Sequence, residues 1–338
     1  MIDRVEYHEI EVSLRRPFVT AAAAVRTRRS ILVALHGDGT TGWGEAAPFP
    51  GAGVDGIDGV WDALSSGEAE RSALAAAAWG EAAADLAARR AGEPLWRRLG
   101  GSGSPLVASL AIGMTEDPVA AAAEAVAAGY RRVKLKVAPG RDLSTVAAVR
   151  AAFPDLEVGL DANGGYTPSV DDVPGELADL GVAYLEQPYP VGAEAETATL
   201  RRRLPIPIGL DESVTSPAAA AQIVERGAAD VLVVKPGRLG LDGSLAVHAL
   251  AVDAGLHTKA SGLLETAVGR AHTAALATLP SMAFSDLARG MDVFAVDPGG
   301  AAAPLVDGTL RPADRPGIGI EPDLGLVEVI RSAARAVR

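Results

Sequence analysis

The run RRVKLKV (131–137) is strand-like and closes on Lys136, and five runs of the same kind follow it: LEVGLDA (156–162), VAYLEQ (182–187), IPIGLDE (206–212), DVLVVKP (230–236) and LHTKASG (256–262). Alanine- and leucine-rich helical stretches separate them, among them PVAAAAEAVAAG (118–129), SPAAAAQIVERG (216–227) and GSLAVHALAVDAG (243–255). They begin near Ser, Asp or Pro and end on Gly, as helices do. Buried strands alternating with helices predict βα units around a parallel sheet. The polar residues that close successive runs are Lys136, Asp161, Glu186, Asp211, Lys235 and Ser261, in steps of 25, 25, 25, 24 and 26 residues. One strand, one helix and two loops fill that length, so a supersecondary unit repeats along the chain.

With LVASLAIG (106–113) before these runs and the weaker SMAFSDL (281–287) after them, eight strands are available. A doubly wound open sheet would place ligands only at a switch point. Here strand after strand ends in a reactive side chain, and a closed barrel aims all those ends at one mouth. The predicted fold is α/β: a (β/α)7β TIM-like barrel over 105–295 with an N-terminal α+β capping domain over 1–100. In the cap, residues 4–14 and SILVALH (30–36) read as strands, TGWGEA (41–46) completes a hairpin, and 60–90 reads as helix. The turn-rich segment 99–105 separates the two domains.

Composition narrows the function. Among 338 residues, 43 acidic side chains face 31 basic ones, for a formal charge of −12. That balance argues against nucleic acid or anionic lipid as a partner. No cysteine is present, which removes thiol nucleophiles, thiolate zinc and iron–sulfur sites together. The first ten residues lack an apolar export signal, and the alanine-rich stretch 72–92 is interrupted by charge, so the expectation is a soluble cytoplasmic protein with no membrane partner. Only four of the 31 basic residues are lysine: Lys134, Lys136, Lys235 and Lys259. Arginine does not give up its proton in proteins, so a lysine kept against this background is a candidate for proton transfer. For Lys259 alone, chance retention is the preferred explanation.

Asp161, Glu186 and Asp211 end consecutive strands and are predicted to converge. Three carboxylates so placed repel one another in a partly dry site. A cation relieves this, and all-oxygen ligands favour Mg²⁺, with Mn²⁺ as the alternative, over zinc. Glu212 is expected to point elsewhere if its strand continues and to support the site from behind the ligands, and Asn163, just past a strand, to reach the site. Lys134 and Lys136 alternate onto one strand face. Lys136 lies at the mouth and is the candidate base. Lys134, counted with it among the catalytic candidates, lies one layer deeper, where pairing with the carboxylates is the competing role. Lys235 ends the sixth strand, opposite the second. A carboxylate substrate held between the two lysines would have its α-proton within reach, and the metal would stabilise the resulting enediolate.

As a set, K-x-K, D-x-N, E-Q-P, D-E-S and K-P-G-R-L-G, following a domain that contains G-W-G-E, resemble the enolase superfamily in its muconate-lactonizing subgroup. Within that subgroup the sequence is most similar to the o-succinylbenzoate synthases of menaquinone biosynthesis, in their actinobacterial form. The segment PGIGIE (316–321) matches the part of such chains that returns to the cap, so 300–338 is expected to complete it. The resemblance implies Mg²⁺ on Asp161, Glu186 and Asp211, with Lys136 and Lys235 as acid/base groups. It further implies syn-dehydration of a cyclohexadiene carboxylate bearing a succinyl side chain. Lys136 would act as base and then acid, Lys235 as a cation, and Ser261 and Gly262 would bind the succinyl carboxylate. Loops near Phe18–Arg26 and Phe49–Gly53 would close over the ring. N-succinylamino acid racemisation, which uses both lysines, is the principal alternative. Dipeptide epimerisation ranks lower because SDLARGMD (285–292) lacks the expected Asp-x-Asp. His257, four residues before Ser261, is expected at the barrel floor, and Gly159 stands where some synthases carry Arg. A catalytically dead carboxylate-binding barrel would have lost one of the five charged groups, and all are present. The oligomeric state is left open.

Overall fold

A computed structural model of the chain describes residues 1–20, 23–50, 55–168, 173–300 and 304–337. Strands β1 (Arg4–Val19), β2 (Ala24–Gly37) and β3 (Thr40–Ala46) form an antiparallel sheet. Helices α1 (Ile57–Ser66) and α2 (Ala73–Arg90) cover one face of it, and the short helix α3 (Leu95–Arg98) leads out of the cap. The first two strands are longer than the sequence pattern implies. Phe18 and Arg26 therefore stand on paired strands near a hairpin end, not on a loop. The predicted single helical region is two helices, because α1 closes at Gly67 in a left-handed conformation (φ 83°). Gly42 and Gly44 let β3 press against α2, where a Cβ at either position would collide with the helix backbone. Ile31, Val33 and Leu35 pack beneath the cap helices, while Leu32 and Ala34 face Val268 and Ala275 from the barrel. Burial on both faces explains why 30–36 reads as a continuous apolar run.

After β4 (Leu106–Val107) the barrel strands and helices alternate. They are β5 (Leu110–Ile112), α4 (Pro118–Ala127), β6 (Arg132–Lys136), α5 (Asp142–Ala152), β7 (Glu157–Asp161), α6 (Val173–Asp179) and β8 (Tyr184–Glu186). Then follow α7 (Glu194–Arg201), β9 (Ile208–Leu210), α8 (Pro217–Arg226), β10 (Val231–Val234), α9 (Pro236–Asp253), β11 (His257–Ala260) and α10 (Ala267–Ala277). The seven strands from β5 to β11 are parallel neighbours in chain order. Side-chain caps from Asp117 and Ser216, each followed by proline, start α4 and α8.

The run 106–113 is not one strand. Its first two residues leave the barrel to pair with β12 (Thr309–Leu310), which follows the short α11 (Gly290–Val293). The eighth run, 281–287, is not regular strand either, yet it closes the ring. Ala283 and Asp286 donate their N–H groups to Thr258 and Ala260 at 2.7 and 2.9 Å, and on the other side Ser109 donates to Leu287 at 3.1 Å. The chain then returns to the cap, where β13 (Glu328–Ala336) pairs with the outer edge of β1. Among the described residues no helix is long and apolar enough to cross a membrane.

One buried carboxylate pins this return. Asp85 on α2 accepts from the Trp43 N–H on β3 (2.8 Å), the Ile318 N–H (2.7 Å) and Arg89 Nε (2.8 Å). Burial pushes its carboxyl up to about 6, against the opposing pull of Arg89 and the two N–H donors. An unfolded aspartate titrates near 3.9, so the folded chain holds the proton more tightly. The resulting stabilisation is fully present below about pH 4 and is lost as pH rises through 6, about 3 kcal/mol in total. Asp85→Asn should flatten the dependence of the urea midpoint on pH across this window. It should also destabilise the protein at pH 8 by about 1–3 kcal/mol, because there the ionised carboxylate accepts from all three donors, whereas the amide NH₂ would face one of them. Equal pH slopes in the two proteins would remove Asp85 from this account.

Candidate active site

The strand ends bring most of the expected residues to one mouth. Lys136, Asp161 and Glu186 are the last residues of β6, β7 and β8, while Asp211, Lys235 and Ser261 immediately follow β9, β10 and β11. Lys134 and Lys136 share a strand face as alternation requires, and both reach Asp161 Oδ2, at 3.1 and 2.6 Å. Lys136 Nζ also donates to Asn163 Oδ1 at 2.9 Å and lies 5.9 Å from the centre of the Phe18 ring of the cap. Asn163 then donates to Glu212 Oε1 at 2.9 Å. Strand β9 ends at Leu210, so alternation does not carry as far as Glu212. Its side chain joins the site instead of pointing elsewhere, with Oε2 buried and without a hydrogen-bond partner among the described residues.

Across the mouth, Lys235 Nζ binds Asp211 Oδ2 at 2.7 Å, and Arg238 reaches Asp211 Oδ1 at 2.9 Å and its backbone oxygen at 2.8 Å. Burial disfavours the Lys235 charge, but Asp211 outweighs it and raises the lysine pKa. Burial likewise pushes Asp211 upward, and Lys235 and Arg238 override it, holding the carboxyl well below the usual range.

Beneath the mouth lies an ionic lattice that the sequence reading largely missed. Lys134 Nζ contacts Asp286 (2.6 Å), Glu186 (2.8 Å) and Asp161 (3.1 Å). Lys259 is not a chance retention. It is 1% exposed and donates to Glu186 Oε2 and Tyr184 Oη at 2.6 and 2.7 Å, with Asp286 at 3.1 Å. For Lys134, burial opposes the charge, but Asp286, Glu186 and Asp161 together raise the ammonium well above its ordinary range. Burial also pushes Asp161 upward, and Lys136 and Lys134 overcome it and hold the carboxyl well below normal. Glu186 goes the other way: burial, reinforced by Asp161 and Asp286, pushes it up to about 7 despite Lys134 and Lys259. Asp286 comes from the closing run 281–287, 25 residues after Ser261. Continuing the repeat by one more step would have found it.

Three other expectations are refined. The Ser261 hydroxyl donates to Asp286 Oδ2 at 3.0 Å, so it is part of the lattice as well as of the mouth, where it lies beside Gly262. Gly159 is glycine because the Tyr184 ring fills its inward position, and a Cβ there would collide with that ring. His257 begins β11 with its side chain exposed at the floor end. Of the second cap loop, Phe49 lines the same cavity as Lys136 and Lys235, while residues 51–53 lie outside the described residues.

The three strand-end carboxylates are each held by cations of the chain itself. Asp161 and Glu186 share Lys134, while Asp211 is held by Lys235 and Arg238. Among the described residues no three carboxylates or imidazoles form a ready ligand shell. The physical reason is the lysines, whose ammonium groups neutralise each carboxylate locally. The donor set nonetheless suits a hard divalent ion, because it is all oxygen and each carboxylate keeps a lone pair beyond the contacts named.

Known proteins resemble this chain over nearly its whole length. Residues 117–326 match the family described as Enolase C-terminal domain-like. An N-succinylamino acid racemase of Thermus thermophilus is 34% identical over 97% of this chain and 96% of its own. An o-succinylbenzoate synthase of Geobacillus kaustophilus is 30% identical over 97% and 95%. A solved structure of an enolase-superfamily member from Listeria innocua superposes with a TM-score of 0.89 at 25% identity, covering 99% of each chain. The barrel with its lysine-bearing strand ends, the sheet cap and the relatives that span both agree: the chain belongs to the enolase superfamily.

Proposed function

We propose that the chain is an o-succinylbenzoate synthase, a lyase that dehydrates 2-succinyl-6-hydroxy-2,4-cyclohexadiene-1-carboxylate to 2-succinylbenzoate. The observation that carries this reading is the pairing of Lys136 and Lys235 on opposed strand ends, with carboxylates on the arc between them and the Phe18 ring of the cap over Lys136. Members of the superfamily generally use Mg²⁺. Asp161, Glu186 and Asp211 are the residues that would hold it. Bound there, it would supply positive charge against the carboxylate that becomes dianionic when the α-proton leaves.

In its amine form, Lys136 takes the α-proton, and the C–H electrons become the double bond of the enediolate. The ring hydroxyl departs from the same face. Lys136, now an ammonium, returns the proton to it, so that water leaves and the ring becomes aromatic. One face needs one proton carrier, and Lys235 is assigned to hold charge on the other. Lys134 stays charged beneath the mouth and keeps Asp161 ionised. Asn163 aligns Lys136 through its 2.9 Å hydrogen bond. Ser261 and Gly262 are assigned to the succinyl carboxylate. Phe18 and Phe49 shield the reacting ring from water.

A second reading, N-succinylamino acid racemase, is favoured by the 34% identity to such an enzyme. It would use the same two lysines as opposed acid and base. The deciding assay supplies Mg²⁺ and either the cyclohexadiene substrate or N-succinylamino acids in deuterated water. Dehydration is expected, and deuterium exchange or racemisation without dehydration would reverse the ranking. Chelation should abolish turnover and Mg²⁺ restore it.

Two substitutions separate the lysines. Lys136→Arg should keep metal binding but lose about 10²–10⁴ in kcat/KM, because arginine cannot act as the base. Lys235→Arg should reduce dehydration by no more than about 10², the size of one electrostatic contact, while abolishing any racemisation. An active Lys136→Arg enzyme would remove the assignment of the base.

A further inference from the structure

Arg28, on β2 of the cap, is a buried arginine that the reaction does not use, at 3% exposure. Its guanidinium spends its donors on backbone carbonyls of two separate loops. Nη1 donates to the Pro48 oxygen at 2.8 Å and Nη2 to the Ala47 oxygen at 3.0 Å. Nη2 also donates to the Leu263 oxygen at 3.1 Å, and Nε reaches the Leu264 oxygen at 3.5 Å. The first pair belongs to the cap loop after β3, and the second to the barrel loop that begins with Ser261 and Gly262. Both loops line the cavity that holds Lys136 and Lys235.

We propose that Arg28 is a positioning residue that ties these two loops together and so fixes the distance between the cap wall and the barrel wall of the substrate pocket. This rests on the reading of the mouth as the reaction site. Two further observations support it. Leu264 has φ 66°, a costly conformation for leucine that persists only where its surroundings hold it. The Arg28 bonds to the carbonyls of 263 and 264, together with the Leu263 N–H donated to Glu265 Oε1 at 2.7 Å, do so. On the cap side, the guanidinium lies 5.0 Å from the centre of the Phe49 ring, and Phe49 meets Phe18 edge-on at 6.4 Å. Phe18 is the ring beside Lys136. The clamp thus also places the aromatic cover of the candidate base.

Burial pulls the Arg28 pKa down to about 10, with Glu265 and Glu45 acting to raise it, and among the described residues no carboxylate forms a direct ion pair with it. That leaves its fork of donors free for carbonyls. A lysine offers three donors from a single point and cannot span two loops.

The test uses the full chain with Arg28→Lys and Arg28→Met, each checked by thermal unfolding. Hydrogen–deuterium exchange of peptides covering 44–50 and 261–266 should show both loops losing protection together, with the barrel strands and cap helices unchanged. KM for the cyclohexadiene substrate should rise about tenfold, 1.4 kcal/mol of lost binding, while kcat falls by less than about threefold. The Kd of the product 2-succinylbenzoate should rise by the same factor as KM. Millimolar guanidinium should restore part of this in Arg28→Ala. Loss of protection in one loop alone, unchanged protection in both, or loosening throughout the chain overturns the clamp. So does an unchanged KM, or a fall in kcat that exceeds the rise in KM. If the unaltered enzyme turns over none of the substrates, the functional reading fails on its own, and the exchange measurement still decides the clamp.

Discussion

Like charges crowded in a dry place are the constraint on which this structure depends. Asp161, Glu186, Asp211 and Asp286 are all withdrawn from bulk water at one end of a barrel, where carboxylates repel and each ion loses its hydration. The chain offsets this with Lys134, Lys136, Lys235, Lys259 and Arg238, each within hydrogen-bonding distance of at least one of these carboxylates. The balance is uneven. Asp161 and Asp211 are held ionised, while burial, reinforced by Asp161 and Asp286, pushes Glu186 up to about 7. Breaking such a buried pair by removing one partner typically costs about 3–5 kcal/mol. The lattice therefore constrains the chain beyond what chemistry at the mouth alone would require.

Much of the architecture was legible because a barrel repeats. The 25-residue step located six strand ends, and the structure puts Lys136, Asp161, Glu186, Asp211, Lys235 and Ser261 where the step implies. Alternation along Val133–Val137 correctly set both lysines on one face. What stayed hidden has identifiable causes. Strand β9 stops before Glu212, and a period-two argument fails once pairing ends. Lys259 was discounted because a single lysine carries no pattern, and its partners Tyr184 and Asp286 lie 75 and 27 residues away in sequence. The length of the cap hairpin was underestimated because Arg15, Arg16 and Pro17 interrupt the apolar alternation just where β1 bulges.

The cap is more than a cover. Glu45 on β3 accepts the N–H groups of Thr266 and Gly269 and the Thr266 hydroxyl, at 3.0, 3.0 and 2.7 Å, at the start of α10. A carboxylate at a helix N-terminus suits the helix dipole as well as its free N–H groups. The G-W-G-E motif thus has one physical purpose in two parts. Its glycines bring the strand onto α2, and its glutamate fastens the cap to the last barrel helix. Residues that hold the cap down and the charged residues of the barrel mouth are interleaved in sequence.

The ring is sealed by the irregular run 281–287, and the same run delivers Asp286 to Lys134 and Lys259. Sealing and neutralisation are thereby one event. Until residues 281–287 arrive, the two ammonium groups of Lys134 and Lys259 inside the half-built wall lack one of their counterions, and the edges at β5 and β11 stand open. Pairings that span such long stretches of chain form late and slowly. The barrel consequently has a seam with a charge lock on it, and the ionic lattice beneath the mouth is completed only when that seam shuts.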